Sequence, residues 1–569
     1  MANSALNLSV VLLGASGDLA KKKTVPALFH LFCDDSDALA SFSLLGAART
    51  DFTTADWRQA LRAHLATGSH DSKVDAFLER CAYVRLASYD RDGGREGYKA
   101  LARALDDHER DAASPTCGRL FYLATPPDVF EPAAVACRTH LTCGCDVDQE
   151  DERDAALTPR RAGPGHAAAV AAKTGRWARL VVEKPFGHDE ASAVALEAVL
   201  LAHWREDQVF RIDHFLGKEL VSNILAMRFA NALWEPVLNR DHVACVVISF
   251  KENFGVEQRG AFFDAAGILR DIVQNHLMQI ACLIAMERPV SLCADDVRDE
   301  KVKALRAFMP PQPAECVLGQ YEGYQDARGV RPGSKTPTSA TVVLRSSSPR
   351  WAGVPFILRA GKGLNERKTE IRVQLKPPPG MMMSPWPPLA GPQITSAGRD
   401  ELVIRVQPAE AIYLKMSVKA PGGSSQARRR GGGGGASPCG SGDASACGSG
   451  AAGQQNCQSI ATTMAELDLD YASRYEGLRI PDAYQTLLAD CILHGDRSNY
   501  VRSDFVRFAW RLFDPLLQAT EAPGAAAPTP YAVGSRGPDE GDALVADEGY
   551  VRSTGYVWRN PRLAAPSLL

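Results

Sequence analysis

The run LSVVLLGASGDLAKKKTVPALFHLF, Leu8 to Phe32, restricts the fold more than any other part of the chain. Leu8 to Leu13 is short, apolar and rich in valine, as a strand buried on both faces must be. From Leu19 to Phe32 the apolar residues recur at helical spacing. Between them, Gly14 and Gly17 sit in a tight turn with Ala20 just beyond. In a strand–turn–helix unit the first glycine permits the turn and the second lets backbone N–H groups approach a pyrophosphate. A small third residue lets the helix lie close on the strand. The spacing departs from G-x-G-x-x-G, because Gly17 falls three residues after Gly14. Glycines alone are weak support, but the strand before and the helix after strengthen them.

Three more apolar runs follow: SFSLLGAART, GRLFYLATPP and WARLVVEKPFG. The last two are stopped by prolines. Strands alternating with helical stretches indicate a parallel, doubly wound sheet. After about residue 213 the character changes. HVACVVISFKE, TSATVVLRSS, VPFILRAGK, TEIRVQLK and DELVIRVQP are strand-like, and several succeed one another without a helix. The expected architecture is a Rossmann-like α/β domain over residues 1–213. A larger α+β domain with a mainly antiparallel sheet follows over 214–569, with a helix from about Asp264 to Met286. Residues 142–175 and 421–459, the latter containing RRRGGGGGASPCGSG, are too polar or too simple in composition to bury a core, and read as surface insertions.

With 569 residues the chain is long enough for two large domains, and a net charge of −3 recruits neither nucleic acid nor membrane. An anionic ligand therefore has to be held by local basic clusters. No apolar run reaches the length of a membrane span, and the first strand begins too near Met1 to leave room for a leader. The 14 cysteines are scattered, as in a protein of a reducing compartment, here the cytoplasm.

Arg49 ends the second strand. An acid there would bind a free ribose hydroxyl, whereas arginine pairs with a 2′-phosphate, which favours NADP over NAD. His276 lies on the edge of the stripe formed by Ile268, Ile272, Val273, Leu277 and Ile280. By pattern alone such a histidine is more often a satisfied core residue than a catalyst. A dehydrogenase nevertheless needs a base near neutral pH, with a carboxylate to fix its tautomer. The run RIDHFLGKE offers that carboxylate, Asp213, and an anion-binding pair, His214 and Lys218, on either side of Gly217. Lys184 ends a buried strand where a dinucleotide crevice opens. Lys362, Arg367 and Lys368 fall in a turn between strands, which reads equally as a charged hairpin rim.

GASGDLAKKK, VVEKPFG, RIDHFLGKE, RFAN, RDIVQNHLMQ, DDVRDEKVK, GVPFILRAGKGLNERK, ELVIRVQP and YVRSDFVRFAWR occur in the order found in glucose-6-phosphate dehydrogenases. The chain resembles that family, most closely its cytosolic plant or algal type, over nearly its whole length apart from the two insertions. The resemblance implies NADP-dependent oxidation of D-glucose 6-phosphate to 6-phosphoglucono-1,5-lactone, the first step of the oxidative pentose phosphate pathway. It implies a homodimer or homotetramer. It gives His276 the role of base and Asp213 that of its orienting carboxylate. Lys184, His214, Lys218, Glu252, Asp271, Lys362 and Arg367 become substrate contacts. Gly14, Ser16, Gly17, Asp18, Leu19, Arg49, Tyr122 and Lys184 become coenzyme contacts. Some members hold a second, structural NADP, for which Arg359, Lys368, Arg372, Arg405, Tyr413, Lys415, Asp468 and Trp558 are the matching positions. Phe215 stands where many members have tyrosine, so a weaker hold on the substrate phosphate is expected. No metal is implied. Two other readings remain: a different sugar oxidoreductase with the same first domain, and a silent sensor of NADP or sugar phosphate.

Overall fold

The computed structural model describes residues 6–65, 68–110, 116–142, 176–377, 399–419 and 462–552. Both expected insertions lie outside these ranges apart from Thr142, which is buried at the end of the helix Phe130–Leu141.

Six parallel strands form the first sheet: β1 (Leu6–Leu13), β2 (Leu39–Ala48), β3 (Cys81–Arg85), β4 (Cys117–Leu123), β5 (Arg176–Val182) and β6 (Val209–Arg211). Their order is β3-β2-β1-β4-β5-β6. The chain reverses direction across the sheet between β1 and β4, the switch point where a dinucleotide crevice forms. All eight residues of β1 are buried, because helices cover both faces. The short strands β3 and β6 escape a reading by hydrophobic runs, since CAYVR and VFR are too short to signal themselves.

The second sheet has nine strands: β7 (Val243–Lys251), β8 (Cys316–Tyr321), β9 (Ser339–Leu344), β10 (Phe356–Gly361), β11 (Lys368–Leu375), β12 (Glu401–Gln407), β13 (Ala411–Lys419), β14 (Thr462–Asp470) and β15 (Thr529–Tyr531). Their order is β14-β13-β12-β11-β7-β10-β9-β8-β15. The pairs β7–β10 and β8–β15 are parallel and the rest antiparallel, so the expectation of a mainly antiparallel sheet holds. Most helices of this part lie on one face of the sheet and share its apolar core, while the helix Asp539–Asp547 packs Val545 on the other face against Val247, Val343 and Ile357.

The helix expected over Asp264–Met286 is broken. Gly267 takes φ +67°, ending the helix Gly260–Ile268, and a π-helical stretch, Leu269–Leu277, precedes the helix Met278–Ala285. A second finding is that the chain returns to its first domain late. Tyr484, Leu487, Leu488, Cys491, Ile492 and Tyr500 complete the core on the side of the helix Val25–Asp34.

Leu487 is fully buried in that shared core. Leu487→Ala is expected to cost about 2–5 kcal/mol of stability in denaturant unfolding. A change within about 0.5 kcal/mol, the range of surface substitutions, would separate this helix from the core.

Candidate active site

The end of β6 runs directly into Ile212, Asp213 and His214, and the π-helical stretch lies against them. Asp213 Oδ1 and His276 Nδ1 are 2.5 Å apart, and both side chains are almost wholly buried. The backbone N–H of Phe215 also donates to Asp213 Oδ1 at 3.0 Å. Burial pushes the Asp213 carboxyl up, but the charge and hydrogen bond of His276, with His214 and Lys184 nearby, hold it down at about 2. A carboxylate on Nδ1 places the ring proton there and leaves Nε2 as the acceptor. Burial, helped by Lys184, lowers the His276 pKa below its ordinary value against the pull of Asp213, so the ring is a neutral base at pH 7. The ring of Phe215 stacks on it at 4.6 Å between centroids and 28°.

Asp271 and His276 are five residues apart. In an α-helix they would point about 140° away from each other. The wider π turn, which bonds i to i+5, brings them to one side. Lys184 donates to the Asp271 carbonyl at 2.6 Å and to its carboxylate at 3.2 Å. Burial raises Asp271, but Lys184, Lys362 and His276 prevail and hold it at about 2. The loop carrying Lys184 is fixed further along: Trp510 Nε1 donates to the Phe186 carbonyl at 2.8 Å, and Arg270 Nε to the His188 carbonyl at 3.0 Å.

The remaining cations gather around this centre. Lys362 pairs with Glu252 at 2.5 Å, and Lys218 donates to Gln407 Oε1 at 2.8 Å. The Arg367 guanidinium lies 6.0 Å from the Phe254 ring. Burial, with Asp482 and Glu410 opposing, lowers the Lys218 pKa. His214 is driven well below its ordinary value by burial and by His276, so it offers a neutral N–H rather than a charge.

At the glycine turn, Gly14 has φ +82°, and a Cβ there would lie 2.4 Å from the Ala124 carbonyl oxygen. Gly17 N–H closes the turn onto the Gly14 carbonyl at 2.9 Å. Ser16 accepts from Thr50 at 2.8 Å, Asp18 pairs with Lys22 at 2.8 Å, and Leu19 packs against the core below. Arg49 is exposed at the rim. Tyr122 stands apart from the other coenzyme candidates. It is fully buried and donates to Glu183 Oε1 at 2.5 Å. The tyrosine beside Arg49 is Tyr89, whose ring centroid is 5.5 Å from the guanidinium, with backbone groups of Arg49 and Gly14 next to its hydroxyl. Nothing in the pattern around Tyr89 signalled this. Glu183, beside Lys184, was also passed over; burial raises its carboxyl to about 7 against the hydrogen bond from Tyr122.

On the other face of the large sheet, Arg359, Lys368, Arg372, Arg405, Tyr413 and Lys415 line one cavity of about 420 Å³. Lys251, Arg536 and Arg552 join them, which the sequence reading missed. Asp468 sits opposite Tyr413 on β14, exposed and outside the lining. Trp558 lies outside the described residues.

A parallel sheet with a phosphate-type glycine turn at its switch point, together with a buried His–Asp pair that follows its last strand and has lysines around it, defines a nicotinamide-dinucleotide oxidoreductase. The profile "Glucose-6-phosphate dehydrogenase, NAD binding domain" matches residues 11–223, and "Glucose-6-phosphate dehydrogenase, C-terminal domain" matches 225–559. The cytoplasmic isoform of glucose-6-phosphate 1-dehydrogenase from Solanum tuberosum is 41% identical over 98% of this chain and 94% of its own. Glucose-6-phosphate 1-dehydrogenase 5, cytoplasmic, from Arabidopsis thaliana is 41% identical with the same coverage. A solved glucose-6-phosphate dehydrogenase in complex with its substrate glucose 6-phosphate superposes with TM-score 0.77 at 36% identity, covering 97% of this chain and 100% of that one. The chain belongs to the glucose-6-phosphate dehydrogenase family.

Because burial lowers the His276 pKa, the acid limb of kcat/KM is expected below about 6.5, the ordinary histidine value. Activity rises as pH climbs through that limb and His276 loses its proton. Asp213, ionised down to about 2, adds no limb of its own in the working range. A pH–rate profile with its acid limb above 7 would contradict this environment.

Proposed function

We infer that the protein oxidises D-glucose 6-phosphate at C1 to 6-phosphoglucono-1,5-lactone with reduction of NADP. This is the first step of the oxidative pentose phosphate pathway. The carrying observation is the 2.5 Å contact of Asp213 with His276, beside Lys184 and Asp271.

The residues present suit the dinucleotide. The turn at Gly14 has no room for a Cβ, and Arg49 is exposed where a 2′-phosphate would lie. NADP, when bound, supplies the hydride acceptor. His276 Nε2 takes the proton from the C1 hydroxyl, Asp213 stabilises the imidazolium that forms, and the hydrogen on C1 leaves with its electron pair as the C1–O bond becomes a carbonyl. Lys184 and Asp271 orient the C1 end. Glu252, Lys362 and Arg367 hold the ring hydroxyls, while Lys218 and His214 take the phosphate. Gly14, Ser16, Gly17, Asp18, Leu19 and Arg49 form the coenzyme site, and Tyr89 fits it better than Tyr122 does. The cavity lined by Arg359, Lys368, Arg372, Arg405, Tyr413 and Lys415 has the charge to take a second NADP.

The plant relatives are named as cytoplasmic isoforms, which supports a cytoplasmic enzyme. No helix among the described residues is long and apolar enough to cross a membrane. Self-association through the large sheet fits the exposed Leu467 on its edge strand β14.

His276→Asn is expected to lower kcat by about 10²–10⁴-fold with the Kd for glucose 6-phosphate little changed. Near-normal kcat would remove His276 from the mechanism. Arg49→Ala should raise KM for NADP about ten-fold or more and leave NAD-linked turnover unaltered, since only the charged pair with the 2′-phosphate is lost. An equal loss with both coenzymes would show that Arg49 does not read that phosphate.

A further inference from the structure

His30, Asp34 and His70 form a cluster that the reaction does not use. His30 and Asp34 are four apart on the helix Val25–Asp34, so they share one side of it, at the end away from the glycine turn. His70 comes from the short 3₁₀ turn Gly68–Lys73. Its Nε2 lies 3.0 Å from Asp34 Oδ1, and the two imidazoles are 5.8 Å apart between centroids. One donor atom from each of the three residues falls within 4.8 Å of the other two.

Two features separate this cluster from an ordinary surface group. The Nδ1 of His30 is buried with no hydrogen-bond partner. The far oxygen of Asp34 is held by Arg479 Nη1 at 3.1 Å and by Gln485 Nε2 at 3.0 Å. Outer hydrogen bonds of that kind orient a ligating carboxylate and leave its other oxygen free to bind.

We propose that His30, Asp34 and His70 bind a Zn²⁺ ion, with solvent completing the coordination. Two imidazoles and one carboxylate suit a first-row transition ion, whereas calcium and magnesium prefer all-oxygen sets. Ligand atoms on a tetrahedral zinc lie roughly 3.4 Å apart. The observed 3.0 Å contact and 4.8 Å limit bracket that spacing, so side-chain rotation closes the site. Arg479 shares the charge of Asp34, which makes this a reversible site rather than a permanent structural one. The ion would tie the helix Val25–Asp34 to the turn Gly68–Lys73 and fix Asp34, whose far oxygen Gln485 contacts. The segment bearing Gln485 also carries Ala483, whose carbonyl leaves no room for a Cβ on Gly217, at 2.4 Å. Zinc would thus stiffen the floor beneath Lys218 and His214.

The test uses the full chain stripped with EDTA. Zn²⁺ is titrated by calorimetry, Co²⁺ by visible absorption, and melting is followed with and without Zn²⁺. One saturable site is expected, with a Co²⁺ spectrum free of thiolate charge-transfer bands and a Tm raised by Zn²⁺. His70→Ala and His30→Ala should each weaken binding at least ten-fold and abolish the Tm shift, while activity in EDTA stays unchanged. Equal affinity in His70→Ala would overturn the proposal. So would thiolate bands, which would assign the ion to cysteines such as the exposed Cys293. Binding that persists in His70→Ala and inhibits turnover would move the ion to the Asp213–His214–His276 cluster.

Discussion

The buried hydrogen bond between Asp213 and His276 joins the two domains as well as setting up the chemistry. Asp213 follows the last strand of the parallel sheet, and His276 rides on the π-helical stretch that packs under the large sheet. Each side chain is almost inaccessible, so while the domains stay packed each depends on the other rather than on water. Breaking such a pair by removing one member leaves an uncompensated group and costs about 3–5 kcal/mol. The same contact therefore fixes the base relative to the coenzyme crevice, where small displacements are expensive in rate. Asp213 Oδ2 has no hydrogen-bond partner. Its charge is held by the hydrogen bonds that His276 Nδ1 and the Phe215 N–H donate to Oδ1, with Lys184 nearby, and these keep it ionised.

Around that pair the cations are held in advance. Lys184 rests on Asp271, Lys362 on Glu252 and Lys218 on Gln407. For a protein with an overall charge of −3, attraction of an anionic sugar cannot come from the molecule as a whole. On the proposed reading it comes from a pocket in which burial has already taken much of the water from the lysines, so that an arriving phosphate would meet groups with little hydration left to lose. Lys218 and His214 illustrate the cost: burial lowers the pKa of both. A bound dianion would act against burial and raise the pKa of both.

Much of this was legible in the sequence. The glycine turn, the four long apolar strands, Arg49 at a strand end and the RIDHFLGKE run all announce themselves locally, because turn sterics and charge order are properties of neighbouring residues. What stayed hidden depends on distant contacts or on phase. Asp271 and His276 share a side only because the helix widens to π geometry, and Gly267 breaks a run whose apolar spacing reads as continuous. Tyr89 meets Arg49 through the pairing of β2 with β3, a strand too short to show. Tyr122 lies on a strand covered on both faces, where its hydroxyl donates to Glu183. The return of Tyr484 and Leu487 to the first domain's core could not be read at all, since their apolar spacing does not say which core they join.

The large sheet ties its two faces together through strand alternation. In KTEIRVQL, Thr369, Ile371 and Val373 point one way while Lys368, Glu370 and Arg372 point the other. Glu370 is buried on that charged face, and Arg372, Lys368 and Arg405 hold it at about 2 against burial. Where these strands end, adjacent residues serve opposite faces. Lys251 lines the far cavity and Glu252 pairs with Lys362 near the catalytic centre; Lys368 lines the cavity and Arg367 precedes it at the other site. The alternation that lets one sheet keep an apolar and a charged face thereby sets lining residues of the far cavity one peptide bond from Glu252 and Arg367.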